Sequence, residues 1–214
     1  MSHRALAVHA RRLATSIVLP VAVVLVVRAT LVQAYHIPSG SMEDTLFPGD
    51  LVLAEKVSFG PSVPGRFPGL KNPLPSVRVP GLRPVRQGEI VIFEHPEDPA
   101  VDLIKRVVAT SGQVVEVRDK LLYVDGVAAP WPAEAKHDDP RVQRGRRDNF
   151  GPYRVPDGHF FVMGDNRDNS FDSRFFGAVP QAALRARPLA VYFSWNGAAP
   201  LRDKIRWTHL GPVR

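Results

Sequence analysis

A mainly β domain behind an N-terminal apolar anchor is the architecture that this sequence predicts. Three observations predict it. No Asp or Glu precedes Glu43, and within that acid-free stretch an apolar run extends from Leu13 to Val27. Beyond it come many short β-branched or aromatic runs, each bounded by turn residues. Proline is plentiful throughout, at 21 of 214 residues, and interior prolines break helices.

The anchor is read first. Arg4, Arg11 and Arg12 precede the run, and only Thr15, Ser16 and Pro20 interrupt it. Alone it is too short to cross a bilayer, which takes about 20 apolar residues. Extended through Ala34 it is long enough, with Arg28 near one end, where its guanidinium can reach headgroups. Residues 13–34 are therefore expected to be a transmembrane helix, with residues 1–12 held in the cytoplasm by their positive charge. The rival is a cleavable secretory signal ending at Val32-Gln33-Ala34. Arg28 weighs against it. In both cases residues 35–214 lie outside the cytoplasm.

Strands are expected at Leu51–Ala54, Glu89–Phe93, Leu103–Val108, Val114–Val117, Leu121–Val124, Phe160–Met163 and Ala190–Ser194. Asp125-Gly126 between Leu121–Val124 and Val127 is the strongest hairpin signal. Residues 61–84 hold seven prolines and read as an irregular excursion. Residues 130–149, rich in Arg and Asp, read as a solvated loop. Short antiparallel strands of this kind suit a closed or two-sheet β domain.

Composition narrows the chemistry. With no cysteine, disulfides, thiolate zinc sites and a cysteine nucleophile are excluded. The charge of +7, from 28 basic and 21 acidic residues, fits anionic lipid, and no nucleic-acid motif accompanies it. The histidines are scattered, so no Ser-His-Asp set stands out.

Three segments remain. Pro38-Ser39-Gly40-Ser41-Met42 is a turn able to present a hydroxyl. Lys105 sits in the apolar strand Asp102–Val108, sharing a face with Leu103 and Val107 while Arg106 points away. A lysine held there loses preference for its charge and becomes a base near neutrality; the plainer alternative is an edge lysine reaching solvent. The run Gly164-Asp165-Asn166-Arg167-Asp168-Asn169-Ser170-Phe171-Asp172-Ser173-Arg174 reads as a hydrogen-bonded loop. It lacks the EF-hand spacing, and its arginines repel a cation. No metal or cofactor is expected. Ser and Lys are the one nucleophile-and-base pairing on offer.

These segments, in this order behind an anchor, resemble the boxes of the bacterial type I signal peptidases, membrane-bound serine proteases with a Ser–Lys dyad. The resemblance implies a signal-peptidase-type two-sheet antiparallel β domain. It implies Ser41 as nucleophile, Lys105 as general base, and Ser39 with the Ser41 N–H as oxyanion donors. It makes Ser170 the residue that orients the lysine, and Asp172 with Arg174 a supporting ion pair. Asp165 and Arg167 stand in the same supporting loop. Met42 and Leu46 would line the substrate groove, with ordinary core packing as the alternative. The implied reaction is removal of signal peptides from exported preproteins after small residues one and three positions before the cut (Ala-x-Ala). The implied setting is the bacterial cytoplasmic membrane, among lipid and the protein-export machinery. Two departures stand out. Asp44-Thr45-Leu46 replaces the family's Pro-Thr-Leu, where an Asx turn can substitute for the proline. Ala109-Thr110-Ser111-Gly112-Gln113 replaces Gly-Leu-Pro-Gly-Asp. A self-cleaving repressor protease would be cytosolic and carry a DNA-binding module. The non-enzyme alternative is a membrane-tethered β domain that binds anionic lipid.

Overall fold

The computed structural model describes residues 13, 15–25, 31–60, 62–63, 77–78, 81–98, 100–129, 132 and 135–213. Residues 13 and 15–25 are helical, with Leu13, Ile17, Leu19 and Val24 all more than half exposed. Among the described residues no helix is long and apolar enough to cross a membrane.

Among the described residues fourteen strands follow: β1 (Val32–His36), β2 (Asp50–Glu55), β3 (Ser62–Val63), β4 (Val77–Arg78), β5 (Ile90–Glu94), β6 (Asp102–Thr110), β7 (Val114–Arg118), β8 (Leu121–Val124), β9 (Val127–Ala128), β10 (Phe150–Arg154), β11 (His159–Met163), β12 (Val179–Pro180), β13 (Leu184–Ser194) and β14 (Gly211–Pro212). A one-turn helix, α1 (Ser173–Phe176), lies between β11 and β12. The larger sheet runs β1-β2-β13-β5-β6-β11-β12, with β14 added on β13. A smaller one runs β10-β7-β8-β9, and β3 pairs β4 inside the proline-rich excursion.

Each expected strand is present, several of them longer. The Asp125-Gly126 hairpin forms between β8 and β9, with φ of 52° and 79° at its two turn residues. Both values belong to a type I′ turn, whose twist matches that of the strands it joins. The anchor expectation is corrected at its end. Val32–Ala34 belong to β1, paired with β2 from Val32↔Glu55 to His36↔Leu51, so any helical segment stops before them. The solvated-loop expectation holds for most of the stretch, where residues 140–146 are exposed, with one exception. Asp148 is fully buried, and Lys120, Asp168 and Arg174 bind Asp139 and the Arg147 carbonyl, fastening this stretch to the rest of the domain at a few points.

Three apolar clusters hold the layers. Ile37, Met42, Leu46, Val52, Ile92 and Ile104 form one; Phe93, Val107, Phe160 and Val162 are in the second. Val108, Phe161 and Met163 of the larger sheet pack on Val115, Val117 and Leu122 of the smaller one. A register shift makes this possible, since Phe161 pairs Ala109 while Val162 pairs Val107. The extra residue is Val108, and the bulge it makes lets Val108 and Ala109, consecutive in β6, enter the same cluster. Met42 and Leu46, expected in a substrate groove, are fully buried in the first cluster. They are core residues beneath the turn that carries Ser41.

Candidate active site

The Ser41 turn begins and ends on one clasp. Ile37 N–H donates to Asp50 O and Gly49 N–H to Ile37 O, both at 2.9 Å, so residues 38–48 form a loop closed at its base. The loop is then fastened from above. Asn166 N–H donates to Ser41 O (3.1 Å) and Asn166 Nδ2 to Gly40 O (3.1 Å). Thr45 Oγ1 donates to Asp165 Oδ2 at 2.6 Å.

Lys105 reaches this loop from β6. Its Nζ lies 2.7 Å from Ser41 Oγ and 3.0 Å from Ile104 O, and the residue is 3% exposed. Burial lowers its pKa from 10.5 to about 8, against the opposing pull of Asp172 and Asp165. A substantial fraction of a group titrating there is neutral at mildly alkaline pH, and the Nζ lone pair then accepts the Ser41 proton. Ser39 Oγ stands 3.4 Å from Ser41 Oγ, close enough for its hydroxyl to share the reaction space.

The loop after β11 supports both. Asp172 and Arg174 form a fully buried pair, with Nε–Oδ1 at 2.9 Å and Nη2–Oδ2 at 2.8 Å. Asp172 also accepts from Gly164 N–H at 3.1 Å, and Arg174 donates to the carbonyls of Arg147 (2.6 Å) and Arg167 (2.7 Å). The pair therefore pins the loop's two ends together. Gly164 is fixed by crowding: an added Cβ would fall within 3.0 Å of Ser41 O and the Ser170 side chain.

The other supporting residues differ from expectation. Ser170 packs beside Gly164, but its buried Oγ has no hydrogen-bond partner among the described residues. The Lys105–Ser170 bond that the resemblance implies is not formed. Asp165 pairs with Arg106 of β6, through Nη2–Oδ2 at 2.8 Å and Nε–Oδ1 at 3.0 Å. Arg167 is buried, its Nε and Nη2 lack partners among the described residues, and burial lowers its pKa to about 10. Lys136 and Lys120 were missed by the sequence reading. Lys136 Nζ reaches Glu43 at 3.1 Å, and Lys120 Nζ reaches Asp168 at 2.7 Å. Both connect the charged stretch to the site loops.

Asp44 adopts φ 77°, where proline, locked near −65°, cannot follow. The loop thus departs from the family's proline-bearing form instead of imitating it with an Asx turn. Asp44→Pro is expected to cost about 3 kcal/mol or more in urea unfolding, and Asp44→Gly to stay within about 1 kcal/mol of wild type. Equal stability of the proline variant would contradict this backbone.

The signal peptidase, peptidase S26 family model matches residues 10–193. The chain is similar to signal peptidase I of Pseudomonas fluorescens, at 34% identity over 81% of this chain and 69% of the relative. It is similar to signal peptidase I of Pseudomonas aeruginosa at 32% over the same shares. Signal peptidase I of Aquifex aeolicus is 28% identical over 80% of this chain and 79% of its own.

Proposed function

The chain belongs to the signal peptidase family, peptidase S26, and is a serine endopeptidase of the signal peptidase I type; on that premise we propose that Ser41 and Lys105 cleave signal peptides from exported preproteins after Ala-x-Ala-like sequences. The observation that carries this reading is the 2.7 Å contact between Ser41 Oγ and a buried, pKa-lowered Lys105 Nζ. Neutral Nζ takes the hydroxyl proton as Oγ attacks the scissile carbonyl. The oxyanion is met by the Ser39 hydroxyl and the Ser41 N–H. The ammonium then protonates the departing amine, leaving an acyl-enzyme that water hydrolyses with Lys105 again as base.

Sheet geometry supports extended binding. Val101 O accepts from His95 N–H, and Val107 exchanges bonds with Gly88 and Glu89, so these odd-numbered residues turn their main chain toward β5. By alternation, Asp102 and Ile104 turn theirs away. On that side β11 pairs only with Arg106–Thr110. Among the described residues the stretch Asp102–Ile104 is an open edge running up to the base, suited to receive a substrate strand. The exposed apolar helical residues before β1 support a membrane anchor, with the N-terminus cytoplasmic and the β domain facing the export machinery's outlet.

The test is cleavage of a preprotein carrying Ala-x-Ala by the full chain in detergent. Wild type is expected to cut after the second alanine. Ser41→Ala is expected to lose about a thousandfold or more in kcat/KM while keeping its fold. A folded wild type inert on several preproteins would favour the lipid-tethered, non-catalytic domain.

A further inference from the structure

An exposed aromatic cluster lies beside the site and has no part in the dyad chemistry. Phe171 is 53% exposed and Phe175 37%. Their rings stack at 5.4 Å, and Phe171 stacks on His95 at 6.1 Å with only 7° between the planes. Phe176 secures the group underneath, 5.9 Å from His95 and packed into the second apolar cluster. Val101, 44% exposed, adjoins it across the His95 N–H to Val101 O bond. Large aromatics at the surface cost solvation unless something covers them.

Their place indicates what does. His95 and Val101 form the turn between β5 and β6, so the cluster stands beyond the Asp102 end of the open edge whose other end meets Lys105. Side-chain alternation sets His95 on the same face as Phe93, opposite Leu103, and Leu103 shares its face with Lys105. A strand laid from Ser41 along that edge covers Lys105 to Val101, about 13 Å at strand rise, and then meets the aromatics. A signal peptide carries its apolar run a few residues upstream of the cut, whereas the mature side has no such rule.

We infer that Phe171, Phe175 and His95 form a docking platform for the end of the signal peptide's apolar run, continuous with the cleavage edge. This rests on the signal-peptide reading above. The platform selects preproteins whose apolar run ends about four or five residues before the cut, adding affinity that the small-residue positions cannot supply.

Two substrates and three enzymes test it in detergent: a full preprotein and a short peptide beginning about four residues before the cut, each with wild type, Phe171→Ser and Phe171→Leu. Phe171→Ser is expected to raise KM and lower kcat/KM on the preprotein about tenfold, and to move the peptide less than about twofold. Phe171→Leu restores most of the preprotein rate. Inserting polar residues between the apolar run and the cut removes the wild-type advantage. Equal loss on both substrates would overturn the proposal, because Phe171 would then be shaping the neighbouring Ser170 loop. An unchanged preprotein rate would overturn it too, including the case where the variant loses only binding to phosphatidylglycerol vesicles, which would turn the cluster toward lipid. Wild type inert on both substrates would sink the signal-peptide reading itself, and the platform with it.

Discussion

Lys105→Met is expected to unfold at a slightly higher temperature than wild type and to cleave nothing. The lysine is almost wholly enclosed, and its pKa falls from 10.5 to about 8. Below pH 8 the folded chain carries a buried ammonium that the unfolded chain keeps in water. The unfolded state binds the proton more tightly between pH 8 and 10.5, so the stability withheld by Lys105 returns as pH rises through that window. At neutral pH the cost is about 3 kcal/mol. Methionine fills a similar volume without the charge. It forfeits hydrogen bonds to Ser41 Oγ and Ile104 O, worth about 1 kcal/mol each. The net gain is about 1 kcal/mol, or about 2–4 °C in Tm. Activity moves the other way. Removing the base lowers kcat/KM by about a thousandfold or more. Paired melting and rate measurements check both halves. A variant that is markedly less stable would mean that the lysine's charge is a support of the fold and not a burden on it.

The largest stability loss is expected at Arg174. Replacing it with Met leaves the Asp172 carboxylate fully buried without its cation. Breaking one member of a buried pair costs about 3–5 kcal/mol. Here the loss extends further, since Arg174 also holds the carbonyls of Arg147 and Arg167. Arg174→Lys does not restore stability, because an ammonium lacks the planar fork that reaches carboxylate and carbonyls together. Urea unfolding at neutral pH measures the difference. A loss under about 1 kcal/mol would show that the loop after β11 holds itself without the pair.

Particular residues show what the sequence could and could not convey. The period-two alternation around Lys105 placed it among Leu103 and Val107, and the structure buries it on that face. The same alternation turned Arg106 to the opposite face but gave no partner for it; Arg106 is 5% exposed and bound to Asp165. Both faces of this strand are covered, a tertiary fact that alternation does not carry. The signal was nonetheless available: a second cation in an apolar strand needs a partner, and the loop from Asp165 to Asp172 offered several. Val32–Ala34 were absorbed into the anchor because hydropathy alone cannot mark where an apolar helix gives way to an edge strand. β10 was hidden by the charged stretch before it and by Gly151-Pro152 within it. The failure at Ser170 is of another kind. Its proximity to the site is legible from the motif, but whether its hydroxyl bonds Lys105 depends on rotamers that no motif records.

The central claim, a serine activated by a neutral buried lysine, is tested most directly by the pH dependence of wild-type kcat/KM on a short peptide substrate. The rate is expected to rise through a single ionisation near pH 8, the value that burial imposes on Lys105. A rate that stays low until the ordinary lysine range near 10.5, or one that is level through pH 8, would contradict it.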